Sequence, residues 1–266
     1  MDVFQLYMGE GPLAAAAIHS GHDVRPEVAS LLSISEQQRR REEDPYTDAL
    51  IEWAPTRLIG RRSRYEVDLN RSRDQAVYLN PEQCWGADVW RKPPDSSCVE
   101  RSLELHDAFY STARSVLTHL VEKHGLVVVL DVHSYNHRRD GADAPPADTK
   151  THPEVNVGTG TLDRDWWAPV VDRFMSALRQ YNYQGRSLDV RENVKFRGGN
   201  FCRWIHETFP GSVCSLTVEF KKFFMDEWTG EADRRQLTEL QAALKSTWPQ
   251  LLEALACLRN TAALKR

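Results

Sequence analysis

The chain has 266 residues, a formal net charge of −4 and a pI near 6.2. This length allows a large buried core and predicts one α/β domain over residues 1–266. Its basic residues are scattered apart from Arg39, Arg40 and Arg41, which acidic residues follow at once, so we expect no nucleic-acid partner. The apolar stretch Pro12 to Ile18 is too short for a signal core or a membrane span, and we expect a cytoplasmic protein without a membrane partner.

Apolar patterning predicts alternating strands and helices. Short continuous apolar runs predict buried strands at residues 13–18, 126–131 and 214–220. Amphipathic spacing predicts helices at residues 99–123, 163–181 and 233–258. Ser97 and Glu100 form a capping-box pattern before the first helix, Gly125 ends it, and Asp163 precedes the second. The alternation predicts an α/β sheet covered on both faces.

The five cysteines form an odd set without any CxxC pairing: Cys84, Cys98, Cys202, Cys214 and Cys257. This pattern is more typical of reduced packing residues than of a disulfide framework or a cysteine-based zinc site.

Polar residues with metal-binding chemistry follow the predicted strands. His19 and His22 come after the first strand, His133 comes after the second, and Glu219 lies on the third. Since α/β sheets bind ligands at the carboxyl ends of their strands, three imidazoles there could hold zinc and leave a fourth position for water. Asp131, two residues before His133, is placed to orient a ligand imidazole. An isolated HxxH spacing is weak evidence for a metal site. The alternative is that His19 and His22 are two polar residues in an ordinary loop.

The other histidines divide into two groups. His106, His119 and His124 fall within or just after the first predicted helix, where a solvated or packed histidine is typical. Three others lie in predicted loops or a short helix and stay open as substrate contacts or substitute ligands: His137, His152 and His206.

Two arginine-containing segments are candidates for substrate binding. The segment RYEVDLNRSR contains Arg64, Asn70 and Arg71, and an arginine fork suits a substrate carboxylate or a developing negative charge on a carbonyl oxygen. A salt-bridged edge strand is the alternative. In KFRGGN, Arg197 precedes two glycines, which permit either close approach to a ligand or a simple tight turn.

The long polar segment at residues 134–161 is rich in Gly, Pro and Asp. Loops of this length inside compact domains are usually functional or disordered. Because it follows His133 directly, we expect a lid or a wall of the pocket; a mobile surface insertion is the alternative.

Five pieces of the sequence resemble the zinc-dependent N-formylglutamate amidohydrolases in their order: IHSGHDVRP, YEVDLNR, LDVHSY, NVKFRGGNF and LTVEFKKFFM. The resemblance covers most of the chain, from about residue 14 to 225. The DLNR and DxHS pieces also resemble the aspartoacylases and succinylglutamate desuccinylases, a group similar to the zinc carboxypeptidases. The resemblance implies a three-layer α/β/α fold with a mixed, mostly parallel sheet, phosphorylase/hydrolase-like as in the zinc carboxypeptidases.

The resemblance also implies a ligand set. One Zn²⁺ per chain would be held by His19, His22 and His133, with Glu219 as the general base. His22 stands where the zinc carboxypeptidases have the glutamate of an H-x-x-E pair, and Asp23 is the alternative to it.

Substrate-binding roles follow in the same way. Arg71 and Asn70, with Arg197, would bind a substrate carboxylate. Arg64 would polarise the scissile carbonyl, and the alternatives for this role are Arg61, Arg62 and Arg73.

The function implied is hydrolysis of the amide bond of an N-acylated amino acid such as N-formylglutamate. The sequence alone does not distinguish a formyl group from a larger acyl group. A carboxypeptidase-like enzyme or a biosynthetic amidohydrolase acting on another acyl-amino acid or peptide stays open, as does an inactive binding or scaffold protein on the same fold.

Overall fold

A computed structural model describes residues 3–264 of the chain. The strands within this range are β1 (Phe4–Tyr7), β2 (Leu13–Ala17), β3 (Thr56–Gly60), β4 (Val127–Tyr135), β5 (Val155–Gly158), β6 (Val190–Glu192) and β7 (Val213–Lys221). The helices are α1 (Pro26–Ala29), α2 (Glu36–Glu42), α3 (Thr47–Leu50), α4 (Ser96–His124), α5 (Ala168–Gln180), α6 (Asn200–Thr208), α7 (Arg234–Ser246) and α8 (Trp248–Leu264).

The strands form one sheet in the order β1-β3-β2-β4-β7-β5-β6. The pairs β3–β2, β2–β4, β4–β7 and β5–β6 are parallel, whereas β1–β3 and β7–β5 are antiparallel. The predicted α/β class with a mixed, mostly parallel sheet is therefore confirmed. The carboxyl ends of β2, β4 and β7, which lie side by side, meet at one edge of the sheet.

Helices cover both faces of the sheet, which gives the expected three layers. The alternation along β4 sends Val128, Leu130 and Val132 into a core packed by α3, α5, α7 and α8. Val127 and Val129 point to the opposite face, where α4 and α6 pack. Because central strands are buried on both faces, β2 and residues 127–130 of β4 are continuous apolar runs.

The predicted strands are found, with β4 extended at its carboxyl end. Residues 126–131 were expected as the strand, and the structure continues it to Tyr135, so His133 lies within β4. The polar side chains of residues 131–134 are buried with the rest of the strand. A polar residue ends an apolar run in the sequence without ending the backbone ladder, because β7 pairs with β4 along all nine residues.

Helix ends differ from the predictions in three places. Asp95, whose side chain accepts a hydrogen bond from the Cys98 amide, caps α4, so the Ser97 capping box is wrong. Asp163 forms a turn with the Trp166 amide, and α5 begins only at Ala168. The helix expected at residues 233–258 is two helices, since the ring of Pro249 cannot follow an uninterrupted helical turn.

The cysteines have the predicted character of reduced packing residues. Every cysteine is free, and all except Cys257 are buried, as packing residues are. None of the helices between residues 3 and 264 is long and apolar enough to cross a membrane.

Candidate active site

Two histidines and one aspartate converge at the carboxyl edge of the sheet. His19 lies just beyond β2, His133 lies on β4, and Asp44 lies in the segment between α2 and α3. Each offers a ligand atom, and these atoms all lie within 4.8 Å of one another. All three residues are buried, His19 and His133 at 2% exposure. Among the described residues this is the one His, Cys, Asp and Glu cluster with metal-site geometry.

Each of the two histidines also lies beside a second carboxyl group, which faces its Nε2 atom. His19 Nε2 lies 2.7 Å from Asp68 Oδ1, and His133 Nε2 lies 3.1 Å from Asp131 Oδ2. Both Nδ1 atoms therefore point toward Asp44 Oδ2, that of His19 at 3.5 Å and that of His133 at 2.9 Å. Metal-binding histidines commonly have such carboxyl partners, which fix the ring orientation and the tautomer. The expected contact between Asp131 and His133 is present.

Asp68 is itself held by several donors. It accepts hydrogen bonds from Tyr78 Oη, from Arg64 Nη2 at 2.9 Å and from the Asn70 amide at 2.8 Å. Burial alone would raise the pKa of Asp68, but Arg64 and His19 hold it well below its ordinary value. The carboxylate therefore stays ionised, and it fixes the ring of His19.

Asp44 faces both imidazoles. Burial alone would raise its pKa, but the hydrogen bond with His133 and the nearby imidazole of His19 hold that pKa well below the ordinary value. The Asp44 amide donates to the His19 carbonyl at 3.0 Å, which fixes the segment against the end of β2. His19 Nδ1 is buried and makes no hydrogen bond. Two imidazole nitrogens and a carboxylate oxygen are ligands suited to zinc, so the residues present fit a zinc ion.

His22 lies outside this group, contrary to the ligand set implied by the resemblance. Its Nδ1 lies 2.5 Å from Glu43 Oε2, and its side chain is 27% exposed. Residues three apart share a face in a helix, but residues 20–24 are not helical. Gly21 packs so closely on Arg61 that a Cβ there would lie 2.1 Å from the Arg61 carbonyl carbon, and this contact fixes the loop.

Asp23 also lies outside the group. Its amide donates to the Arg61 carbonyl at 3.0 Å, and its side chain lines the cavity that His22 faces. The residue that forms a cluster with His19 and His133 is therefore Asp44.

Glu219 lies directly opposite His133 in the register of β4 and β7. Its side chain lines a cavity of about 560 Å³, which His19, Asp44 and His133 also line. Burial raises the pKa of Glu219 to about 7, and His133 partly offsets this effect. A carboxyl group with a pKa near neutrality suits proton transfer in both directions.

Three of the predicted substrate-binding residues line the same cavity: Arg64, Asn70 and Arg71. The alternatives to Arg64 lie elsewhere. Arg61 lines a different cavity, Arg62 is buried with Glu66 at 3.8 Å, and Arg73 pairs with Glu100 and Asp107 at the surface.

Asn70 is oriented by its contact with α6. Its Oδ1 accepts a hydrogen bond from the Phe201 amide at 3.0 Å, in the first turn of α6. This contact requires Gly199, because a Cβ there would lie 2.2 Å from Asn70 Oδ1. With Oδ1 engaged in this way, Nδ2 is the Asn70 donor left for a ligand, and it makes no hydrogen bond to the described residues.

Arg197 does not line this cavity, contrary to its predicted role in substrate binding. It is exposed and lies against Gly160, where a Cβ would come within 2.9 Å of Arg197 Cβ. Lys195 and Arg203, on either side of it in sequence, line the cavity instead. The backbone between β6 and α6 turns at Gly198, where φ is +122°, so neighbouring residues point in different directions.

The segment at residues 134–161 contributes a wall of the cavity at its beginning. Ser134, Tyr135, Asn136 and Arg139 line the cavity. The end of the segment contains β5, which pairs with β7. The residues between them lie outside the cavity, so the structure supports a wall at residues 134–139.

Four of the remaining histidines bond to the protein through a ring nitrogen or through the backbone amide. His106 Nε2 lies 3.0 Å from the Arg71 carbonyl, and His206 Nε2 accepts from the Ser215 amide at 2.9 Å. His152 Nε2 accepts from Lys195 Nζ at 2.7 Å, and the His137 amide donates to Glu227. None of these four side chains lines the cavity.

The comparisons with known proteins come from a family model and from solved structures. The model of the N-formylglutamate amidohydrolase family matches residues 11–224. A search of the curated proteins found no match. The N-formylglutamate amidohydrolase of Ralstonia eutropha JMP134 is 20% identical, covers 98% of this chain and 100% of its own, and has a TM-score of 0.73.

Two further solved structures are similar to this chain. A gene product of Agrobacterium tumefaciens is 15% identical, covers 97% of each chain and has a TM-score of 0.67. The carboxypeptidase A of Helicoverpa armigera is 13% identical, covers 94% of this chain and 61% of its own, and has a TM-score of 0.42. Since the family model spans most of its length, this chain belongs to the N-formylglutamate amidohydrolase family.

Proposed function

We propose that the protein is a zinc-dependent amidohydrolase that cleaves the amide bond of an N-acylated amino acid such as N-formylglutamate. The observation that carries this proposal is the buried Nδ1 atom of His19. It makes no hydrogen bond, and it lies beside Asp44 and His133 at the wall of a cavity that also contains Glu219. A binding or scaffold protein would have no need of this arrangement.

One zinc ion per chain would be held by His19, Asp44 and His133. When bound, zinc lowers the pKa of a water molecule and polarises the substrate carbonyl. Asp68 and Asp131 contact the Nε2 atoms and orient the two imidazoles, so that both Nδ1 atoms face Asp44, the third residue that would hold the ion.

Glu219 is the general base and then the general acid. It accepts a proton from the attacking water and returns that proton to the nitrogen of the departing amine. Its position opposite His133 and its pKa near 7 support both steps.

Cationic groups around the cavity would bind the substrate and stabilise the oxyanion. Arg64 is linked to the proposed metal ligands, because its Nη2 donates a hydrogen bond to Asp68, the partner of His19. We propose that it stabilises negative charge on the carbonyl oxygen. Arg71 and Asn70 bind a carboxylate of the substrate, and Arg203 and Lys195 add positive charge to the same cavity.

The experiment combines metal analysis with a substrate panel. Protein purified without chelator is analysed for zinc, beside His19→Ala and His133→Ala, and each is assayed for amine release from N-formyl-L-glutamate. We expect about one equivalent of zinc in the wild type, lost in both variants together with activity.

Other outcomes separate the alternatives. Zinc without hydrolysis of N-formylglutamate, but with hydrolysis of another acyl-amino acid or peptide, would keep the mechanism and change the substrate. A wild-type protein without metal or hydrolysis would contradict the proposal and favour a binding protein.

A further inference from the structure

A buried lysine lies just beyond the strand that carries Glu219. Lys222 is 1% exposed. Its Nζ donates to the carbonyl oxygens of Arg41 and Glu43, each at 2.7 Å, and to Asn136 Oδ1 at 2.9 Å. An ammonium group has three protons, so these acceptors use its full donor capacity.

The three acceptors belong to the segments that carry the site. Glu43 immediately precedes Asp44, and Asn136 follows His133 by three residues at the end of β4. Lys222 itself follows Glu219 by three residues. One ammonium group therefore joins the Asp44 segment, the His133 strand and the Glu219 strand.

The Asp44 segment depends on this contact more than the two strands do. β4 and β7 pair with each other along nine residues, which fixes His133 relative to Glu219. Asp44 lies in the short connection from α2 to α3, outside the sheet. Its amide bonds to the His19 carbonyl, and Lys222 holds the carbonyl of the residue before it.

We propose that Lys222 is a positioning residue, which sets Asp44 against the imidazoles of His19 and His133 by holding the backbone at residues 41–43. This inference rests on the proposed function, since Asp44 is the third metal ligand only in that account. Lys222 lines the cavity, but its ammonium group is engaged with these three acceptors, so we expect it to act through Asp44. Outer residues that orient a metal ligand typically contribute 10- to 100-fold to metal affinity or activity.

The adjacent lysine provides a matched control. Lys221 is also buried, at 6% exposure, but its Nζ donates to the His152 carbonyl at 3.1 Å, away from the Asp44 segment. Lys222→Met and Lys221→Met each remove one buried ammonium group and keep a side chain of similar length.

The experiment measures metal binding by these variants. Metal-free protein is titrated with zinc in competition with a chromogenic chelator, and separately with Co²⁺, whose visible absorption reports ligand geometry. We expect Lys222→Met to raise the zinc Kd about 10-fold or more and to change the Co²⁺ spectrum, with Lys221→Met within about twofold of wild type. A merely structural role would lower the unfolding temperature of Lys222→Met and leave both metal readouts unchanged, which would overturn the proposal.

A second variant and a second readout keep the test decisive. If Lys222→Met does not fold, Asn136→Ala, which removes one of the three acceptors, should raise the zinc Kd in the same direction by a smaller factor; an unchanged Kd overturns the proposal. Hydrogen exchange in metal-free protein should be faster at residues 41–46 in Lys222→Met alone.

The two proposals fail in different ways. Zinc and hydrolysis in the wild type, with equal zinc Kd values for both lysine variants, would overturn the role of Lys222 and leave the function intact. A wild type without zinc would overturn the proposed function. In that case, faster hydrogen exchange at residues 41–46 in Lys222→Met would show only a structural role for Lys222, which would also overturn the positioning proposal.

Discussion

Two polar cavities lie on either side of the same pair of segments, and they differ in how their charged groups are partnered. His19 and Asp44 line the cavity of about 560 Å³. His22 and Arg41, from the same two segments, line a larger cavity of about 850 Å³. Glu43 is fully buried between them.

The second cavity is lined by polar residues, but its described residues do not form a cluster with metal-site geometry. His22 is bonded to Glu43, and Arg41 lies 3.4 Å from Glu227 and stacks over the Trp228 ring at 3.7 Å. In the first cavity a buried imidazole nitrogen makes no hydrogen bond and faces a carboxylate. The size of a cavity and its polar content therefore identify this site less well than a buried, unpartnered ligand atom that lies beside other ligand atoms does.

The largest effect within the first cavity is expected for Glu219→Gln. The amide has nearly the same shape but cannot accept the proton of water, so kcat should fall about 10²- to 10⁴-fold while zinc is retained. The measurement is kcat on the best substrate of the panel, with zinc content determined on the same sample. A variant with an undiminished rate would remove Glu219 from the mechanism.

A smaller effect on catalysis is expected when a cationic residue that lines the cavity, such as Arg203, is replaced. Arg203→Met removes a cavity-lining charge that has no ion-pair partner among residues 3–264, whereas Arg197→Met removes a charge outside the cavity. A charge-assisted hydrogen bond to a substrate carboxylate contributes about 1.5–3 kcal/mol, so Arg203→Met should raise KM about tenfold or more. Equal KM values for the two variants would contradict a role of Arg203 in substrate binding.

The smallest effect concerns stability and lies outside both cavities. Burial lowers the pKa of His206 to about 4, from an ordinary value of 6.5. Between these pH values the unfolded chain binds a proton that the folded chain does not, so folding stability falls as the pH decreases from 6.5 to 4. His206→Gln should weaken this dependence.

The measurement is urea unfolding of each protein at several pH values between 4 and 7. The control is His119→Gln, on the exposed face of α4, which should leave the pH dependence as in the wild type. A His206→Gln protein with the wild-type pH dependence would show that this histidine does not contribute to it.

The sequence was sufficient to locate His19, His133 and Glu219, because each lies on or just beyond an apolar strand and parallel strands end at one edge of the sheet. It was not sufficient for Asp44. That residue ends the run RRREED, which has the composition of a solvated surface, and its contact with His133 joins residues 89 apart in the chain.

The same limit applies to the substrate-binding residues. Arg64, Asn70 and Arg71 were found because they cluster within one short segment with Asp68. Arg197 and Lys195 could not be distinguished from the sequence, because Arg197 packs against Gly160, which is distant in the chain, while Lys195 lines the cavity. Strand ends follow from local patterns, whereas the orientation of a loop side chain depends on contacts with distant residues.

The zinc content of Asp44→Ala and His22→Ala tests the central claim most directly. Both variants are purified without chelator beside the wild type, and zinc is measured by elemental analysis. The geometry predicts about one equivalent of zinc in the wild type and in His22→Ala, and loss of zinc from Asp44→Ala. Zinc retained by Asp44→Ala and lost from His22→Ala would contradict the ligand set and restore the HxxH site.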